Sequence, residues 1–223
     1  MAKTTSTALA FALALIATPL LAQDTAAPAE GEAPAADAAG LSMGVEIGGE
    51  GVGSNYTAAN FDAWEQRCVR TETGADPCQL YQLLKDEAGN SVAEFTIFGL
   101  PEGANSPAAA GATFIAPLET LLTAGMQLQI DTAPPKAYPF TFCTQIGCVA
   151  RLGFTAEEVA QLKRGATATL TIVPFVAPDQ TVKLPMSLKG FTAGYDAVNA
   201  ANDAADAAAA AAAPAPAEGA ANE

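Results

Sequence analysis

The chain contains no histidine. That absence removes Ser-His-Asp and Cys-His centres, in which an imidazole takes the proton of the nucleophile. It also removes mixed Cys/His zinc sites. Positive charge is scarce: ten Lys and Arg stand against 24 Asp and Glu. They form no basic stripe, which argues against nucleic acid and anionic lipid headgroups as partners. Long apolar runs are missing as well. The early run Ala8–Ile16 falls short of the about 20 residues that a permanent membrane-spanning helix needs, so no transmembrane segment is expected.

What is present at the ends reads as export and spacer. Lys3, the apolar run and Thr18-Pro-Leu-Leu-Ala22 ahead of Gln23-Asp24 fit a cleaved secretory signal, so residues 1–22 are expected to be a signal peptide. No cysteine follows the cut, which speaks against a lipid anchor. Residues 23–60 are rich in Ala, Pro, Gly and acids and read as a flexible linker. Residues 198–223, with a nearly unbroken run of alanines from Ala204, read as a disordered acidic tail; removing residues 199–223 is expected to leave the melting temperature almost unchanged. Ten of the acids lie in these flanks, and residues 61–197 carry 14 acids against nine bases, a net of −5 that is ordinary for one soluble domain.

Export would place Cys68, Cys78, Cys143 and Cys148 in an oxidising compartment, where disulfides persist. Of three connectivities, Cys68–Cys78 and Cys143–Cys148 are favoured, because each pair is close in sequence and spans turn formers: Gly74, Asp76 and Pro77 in one, Gly147 in the other. Loops this short stabilise by about 2–3 kcal/mol each in the chain-entropy account. Neither spacing resembles a pair of zinc knuckles, and no metal or other cofactor is expected.

The domain reads mostly at period two. Met126, Leu128 and Ile130 alternate with polar residues, as do Ala168, Leu170 and Ile172. Further strands are expected at Trp64–Arg70, Gln79–Lys85, Val92–Phe98, Phe140–Cys143, Cys148–Leu152 and Thr181–Leu188. One helix interrupts: Thr155-Ala-Glu-Glu158 has capping-box spacing, Lys163 and Arg164 suit a last turn, and Gly165 suits its end. The expected fold is all-β, an antiparallel immunoglobulin-like β-sandwich with one short helix, stapled by disulfides and carrying disordered N- and C-terminal extensions. A closed barrel is the alternative. Trp64 is expected to be core rather than a ligand platform, and Glu157-Glu158 a solvated helix start rather than a catalytic carboxylate pair.

Four segments carry a family resemblance: Asp62-Ala-Trp-Glu-Gln-Arg-Cys68, Pro77-Cys-Gln-Leu80, Tyr138–Gly153 (YPFTFCTQIGCVARLG) and Leu184–Ala197 (LPMSLKGFTAGYDA). In order and in wording they resemble the invasion-associated locus B (IalB) family of bacterial envelope proteins. The resemblance implies a β-sandwich, a periplasmic or outer-membrane-associated location, and a family name taken from host-cell invasion. It implies no enzymatic activity and no known ligand.

Two functional classes follow. The favoured one is a non-catalytic exported binding module, whose rigid sandwich presents loops to an envelope or host-surface protein. The candidate contact loop is Thr144-Gln145-Ile146-Gly147, where Ile146 either stands exposed or covers the disulfide. The other is a thiol-disulfide redox or envelope-assembly role for Cys143 and Cys148. Four residues separate these cysteines, not two, and no thioredoxin-like βαβ pattern surrounds them. The sequence leaves the oligomeric state open.

Overall fold

A computed structural model of the chain describes residues 51–101 and 107–212. The expected signal peptide, residues 23–50 of the expected linker, and residues 102–106 and 213–223 lie outside the described residues. One antiparallel sheet has seven strands, in the order β1 (Asn55–Phe61), β2 (Trp64–Val69), β3 (Cys78–Lys85), β4 (Ser91–Gly99), β5 (Ala110–Ala116), β9 (Gly147–Phe154) and β8 (Phe140–Thr144). A second has four, in the order β11 (Val182–Ser187), β10 (Thr167–Ile172), β6 (Met126–Ile130) and β7 (Lys136–Tyr138). Helix α1 (Ala156–Arg164) follows β9, and helix α2 (Phe191–Ala212) follows β11. The fold is thus an antiparallel β-sandwich.

Alternation decides which face is dry. In β2 the residues Trp64, Gln66 and Cys68 are buried while their neighbours are half-exposed; β5 buries Ala110, Ala112, Phe114 and Ala116 in the same way. Trp64, Phe95, Phe114, Phe154 and Phe191 are the largest wholly buried side chains. The Trp64 ring meets Phe95 and Phe191 edge-on at 6.2 and 5.3 Å. Its indole N–H donates to the Ser187 carbonyl at 2.8 Å, so the one polar atom of the ring is satisfied inside the core. Buried Gln82 grips the same residue twice, donating to the Ser187 carbonyl at 2.9 Å and accepting from its N–H at 3.0 Å. These bonds tie the large sheet to β11.

Helix α1 starts on a reciprocal cap: Thr155 Oγ1 accepts from the Glu158 N–H and Glu158 Oε2 accepts from the Thr155 N–H. Glu158 also pairs with Lys136. Gly165 ends the helix, though in an extended conformation (φ −71°) rather than a left-handed one. A Cβ there would lie 2.7 Å from Leu188 Cδ1. The glycine leaves room for the Leu188 side chain, which a larger residue would have to displace.

Strand and helix extend past both expected domain boundaries. On the N-terminal side β1 begins at Asn55, inside the segment expected as linker, and Tyr56 and Phe61 pack against the core. On the C-terminal side the boundary expected at residue 197 falls within α2, so residues 198–212 are helix where a tail was expected. Phe191, Tyr195 and Val198 are spaced three and four apart and all are buried, which gives the helix an apolar stripe. At Gly194 a Cβ would meet Leu80 Cδ1 at 2.6 Å, so a glycine lets the helix lie close on β3.

Two asparagines complete the docking. The β3–β4 ladder ends at Leu80 and Ile97, leaving Cys78 and Gly99 unpaired across that gap. Asn202 fills the first position: its Oδ1 accepts from the Cys78 N–H at 2.7 Å, and its Nδ2 donates to the Cys78 carbonyl at 3.0 Å. Asn199, one turn earlier, accepts from the Gly99 N–H at 2.9 Å. The helix thus supplies side-chain amides where strand pairing stops, and leaves fewer backbone groups without partners.

Candidate functional site

The register places the two disulfides at opposite ends of the seven-stranded sheet. Cys68 and Cys78 face each other across β2 and β3, in the row that continues through Gly99, Ala110 and Phe154. Cys143 and Cys148 face each other across β8 and β9, at the far end where β5 finishes at Ala116. The first pair is buried, with Cys68 1% and Cys78 8% exposed. In the second, Cys148 is buried and Cys143 exposed.

The turn carried by the second disulfide has two free residues, Gln145 and Ile146, between the paired Thr144 and Gly147. The Ile146 N–H reaches Thr144 Oγ1 at 3.4 Å. Gly147 has φ +144°, and a Cβ on it would stand 2.4 Å from the Ala116 carbonyl oxygen and 2.8 Å from Ile115 Cγ2. Only glycine lets the hairpin seat against the end of β5. Ile146 is 77% exposed. Of the two alternatives, Ile146 stands exposed.

Two further loops leave the same end of the sandwich, where β5 crosses to β6 and β10 turns to β11. They are laced together: the Leu121 N–H donates to the Val173 carbonyl and the Phe175 N–H to the Glu119 carbonyl, each at 2.7 Å, with a bridge between Thr120 and Pro174. These loops present Leu118, Leu122, Phe175 and Val176, of which Phe175 is 67% and Val176 77% exposed. Together with Ile146 they make up five of the eight large apolar side chains exposed among the described residues. Isolated exposed leucines need no explanation, but a concentration at one place does. The sequence reading found Ile146 and missed the other four. Their signal was Pro174-Phe-Val-Ala-Pro178, where two bulky apolar residues occupy a segment whose prolines mark a turn.

The other concavity is a cleft of about 910 Å³ between α2 and the lower ends of β3 and β4. Asn199 and Asn202 stand in its wall, and their amides are already committed to Gly99 and Cys78.

Shifted ionisation follows structural pairs rather than a reactive centre. The Thr71 N–H, 2.7 Å from Asp76, and the Tyr56 hydroxyl at 3.0 Å hold the Asp76 carboxyl below the usual carboxylate range. The Asp76 carboxylate in turn raises Tyr56. Glu158 raises Lys136. Burial pushes Glu158 up, but its bonds to Lys136 and Thr155 outweigh that and hold it low. Asp76 lies in the β2–β3 loop and Glu158 in the first turn of α1, while Tyr56 and Lys136 reach them from β1 and β7. Among the described residues no three Cys, Asp or Glu side chains are grouped so as to hold a metal ion, and no helix is long and apolar enough to cross a membrane.

The profile of the family described as Invasion associated locus B (IalB) protein matches residues 64–199. The chain belongs to this family. The matched span runs from the buried Trp64 to Asn199, so it takes in both disulfides, the loop end and the first turns of α2. Two curated Invasion protein B homologs, from Brucella abortus strain 2308 and from Brucella abortus biovar 1 strain 9-941, are each 37% identical over 79 residues. That stretch is 35% of this chain and 45% of each relative, a little under half their length. Among solved structures, invasion associated protein B of Bartonella henselae superposes with a TM-score of 0.52 over 63% of this chain and 92% of its own, at 19% identity. This likeness is one of fold. The names of the IalB family and of these relatives state no enzymatic activity.

Proposed function

We propose that this IalB-family chain is an exported, non-catalytic binding module of the bacterial envelope, acting in the periplasm or at the outer membrane. Its contact surface is the loop end carrying Thr144-Gln145-Ile146-Gly147 together with the neighbouring crossover loops. One observation carries this reading: five large apolar side chains stand exposed at one end of a domain whose other bulky side chains are largely buried. Retaining them in water is unfavourable unless something covers them. The disulfide between Cys143 and Cys148 holds the turn in one shape, so contact costs little ordering entropy. The signal peptide expected at residues 1–22 and the family membership support the location.

A photoreactive amino acid at position 146 tests this in intact cells. The module reading expects the same adduct, with an envelope protein or with lipid, to recur at position 146 and to be absent when the probe sits at Thr57 on β1. Recovery of unmodified monomer from both positions would sink it.

A further inference from the structure

We infer that the occupant of this apolar loop end is a lipid surface without net charge, into which Ile146, Phe175 and Val176 insert. The inference rests on the reading of the loop end as a contact surface and names what it contacts.

Shape is the first argument. The three loops form projecting tips, a two-residue hairpin turn and two loops pinned to each other by paired backbone bonds. Ile146, Phe175 and Val176 are the three most exposed bulky side chains among the described residues, and each lies in a loop between strands. A projecting apolar tip matches a soft layer that opens around it. A folded protein partner would need a matching hollow.

Charge is the second. In the loops at residues 117–125, 144–147 and 173–181 the charged residues are Glu119 and Asp179, and there is no Lys or Arg. Moving ions into the acyl region costs several kcal/mol, so insertion is confined to the uncharged stretches 144–147 and 173–178, with Glu119 and Asp179 left outside the acyl region. The same composition selects among membranes. With no cation at the tip and an acidic chain behind it, attraction to anionic headgroups is missing. The complementary surface is zwitterionic. Exposed Thr144 and Gln145, flanking Ile146, supply hydroxyl and amide groups at the level where headgroups would lie.

Rigidity is the third. The Cys143–Cys148 bond lies directly behind the turn, and Gly147 seats the hairpin on the Ala116 carbonyl. The tip is therefore formed before contact. Charged residues Lys85, Asp86 and Glu87 stand at the β3–β4 turn, three strands from β9 across the sheet. Insertion accordingly uses the corner at β8 and β9 rather than the whole end.

The test is flotation of the processed chain, residues 23–223, with phosphatidylcholine vesicles; residues 1–22 are omitted because their apolar run would bind lipid on its own. The wild-type chain should float with the vesicles equally well at low and high salt. Ile146→Asp and Phe175→Asp should each weaken partitioning at least tenfold, and the pair should abolish it, with melting temperatures unchanged because both side chains are exposed. No flotation of the wild-type chain would overturn the inference, as would flotation undiminished in the double variant. Binding to anionic vesicles alone, lost at high salt, would overturn it too. A concentration-dependent dimer abolished by Phe175→Asp, with no vesicle binding, would assign the end to a second copy instead. If flotation fails while position 146 still yields a recurrent protein adduct in cells, the lipid inference falls and the binding-module reading stands.

Discussion

The same covalent device sits at both ends of the large sheet and serves two different purposes. Cys68–Cys78 is buried, faces the core and has a helix side chain gripping the backbone of one of its members. Cys143–Cys148 lies on the outermost pair of strands, with one sulfur exposed and an apolar tip two residues beyond it. Short loops give both bonds similar entropic leverage. What differs is what each bond is attached to: the first anchors a junction between sheet and helix, the second keeps a protruding turn in shape.

The comparison breaks most severely if the junction is removed. A stop after Val198 deletes Asn199 and Asn202 and exposes three backbone groups that they satisfy. Each such loss costs about 1–3 kcal/mol, so the melting temperature should fall by about 10 °C or more, while a stop after Ala209 should leave it within a few degrees. Calorimetry of the two truncations decides this, and equal melting temperatures would refute the role given to the asparagines.

Next in size is Cys68→Ala with Cys78→Ala. Loss of the ten-residue closure costs about 3 kcal/mol, and voids in the core add to it. The corresponding Cys143→Ala, Cys148→Ala variant should lose about 2 kcal/mol, with core signals in near-ultraviolet dichroism unchanged. Urea titrations of the two variants should therefore separate, the buried pair giving the lower midpoint. The reverse order would dissolve the distinction between the two bonds.

The smallest effect concerns acid. Asp76 lies beside the buried disulfide, and its carboxyl is held below the usual range by the Thr71 N–H and then by the Tyr56 hydroxyl. A depressed folded-state value means that the unfolded chain binds the proton more readily. Its contribution is therefore complete at neutral pH, starts to fade below about pH 5, and is gone once the folded carboxyl is protonated. Asp76→Asn should make the decline of melting temperature between about pH 5 and 3 shallower. Identical slopes in the two proteins would show that Asp76 does not contribute to the acid limb.

Much of this organisation was legible in the residues. Period-two alternation marked β6 and β10, and the Thr155–Glu158 spacing marked the start of α1. β1 was not legible: it is an edge strand whose two aromatics, Tyr56 and Phe61, are separated by small and polar residues without a period of two. β5 buries mainly alanines, which barely differ in hydropathy from the glycine and threonine between them. In α2 the stripe Phe191, Tyr195 and Val198 was present in the sequence, but the alanine run behind it suggested a chain without a contact face. The use of Asn199 and Asn202 depends on a gap between β3 and β4 that exists only once those strands have paired. The loop end has the same origin. Leu118, Ile146 and Phe175 come from three separate segments, and only the crossovers between sheets bring them to one end. Single residues could suggest Ile146. They could not suggest the group.

The Asn202 grip also orders events in time. Cys68 and Cys78 are ten residues apart and can meet soon after both emerge from a ribosome or a translocation pore. Asn202 follows Cys78 by 124 residues. A chain still being delivered can hold the buried disulfide and every strand of the large sheet, and yet its β3–β4 end stays open until Asn202, midway along α2, has arrived.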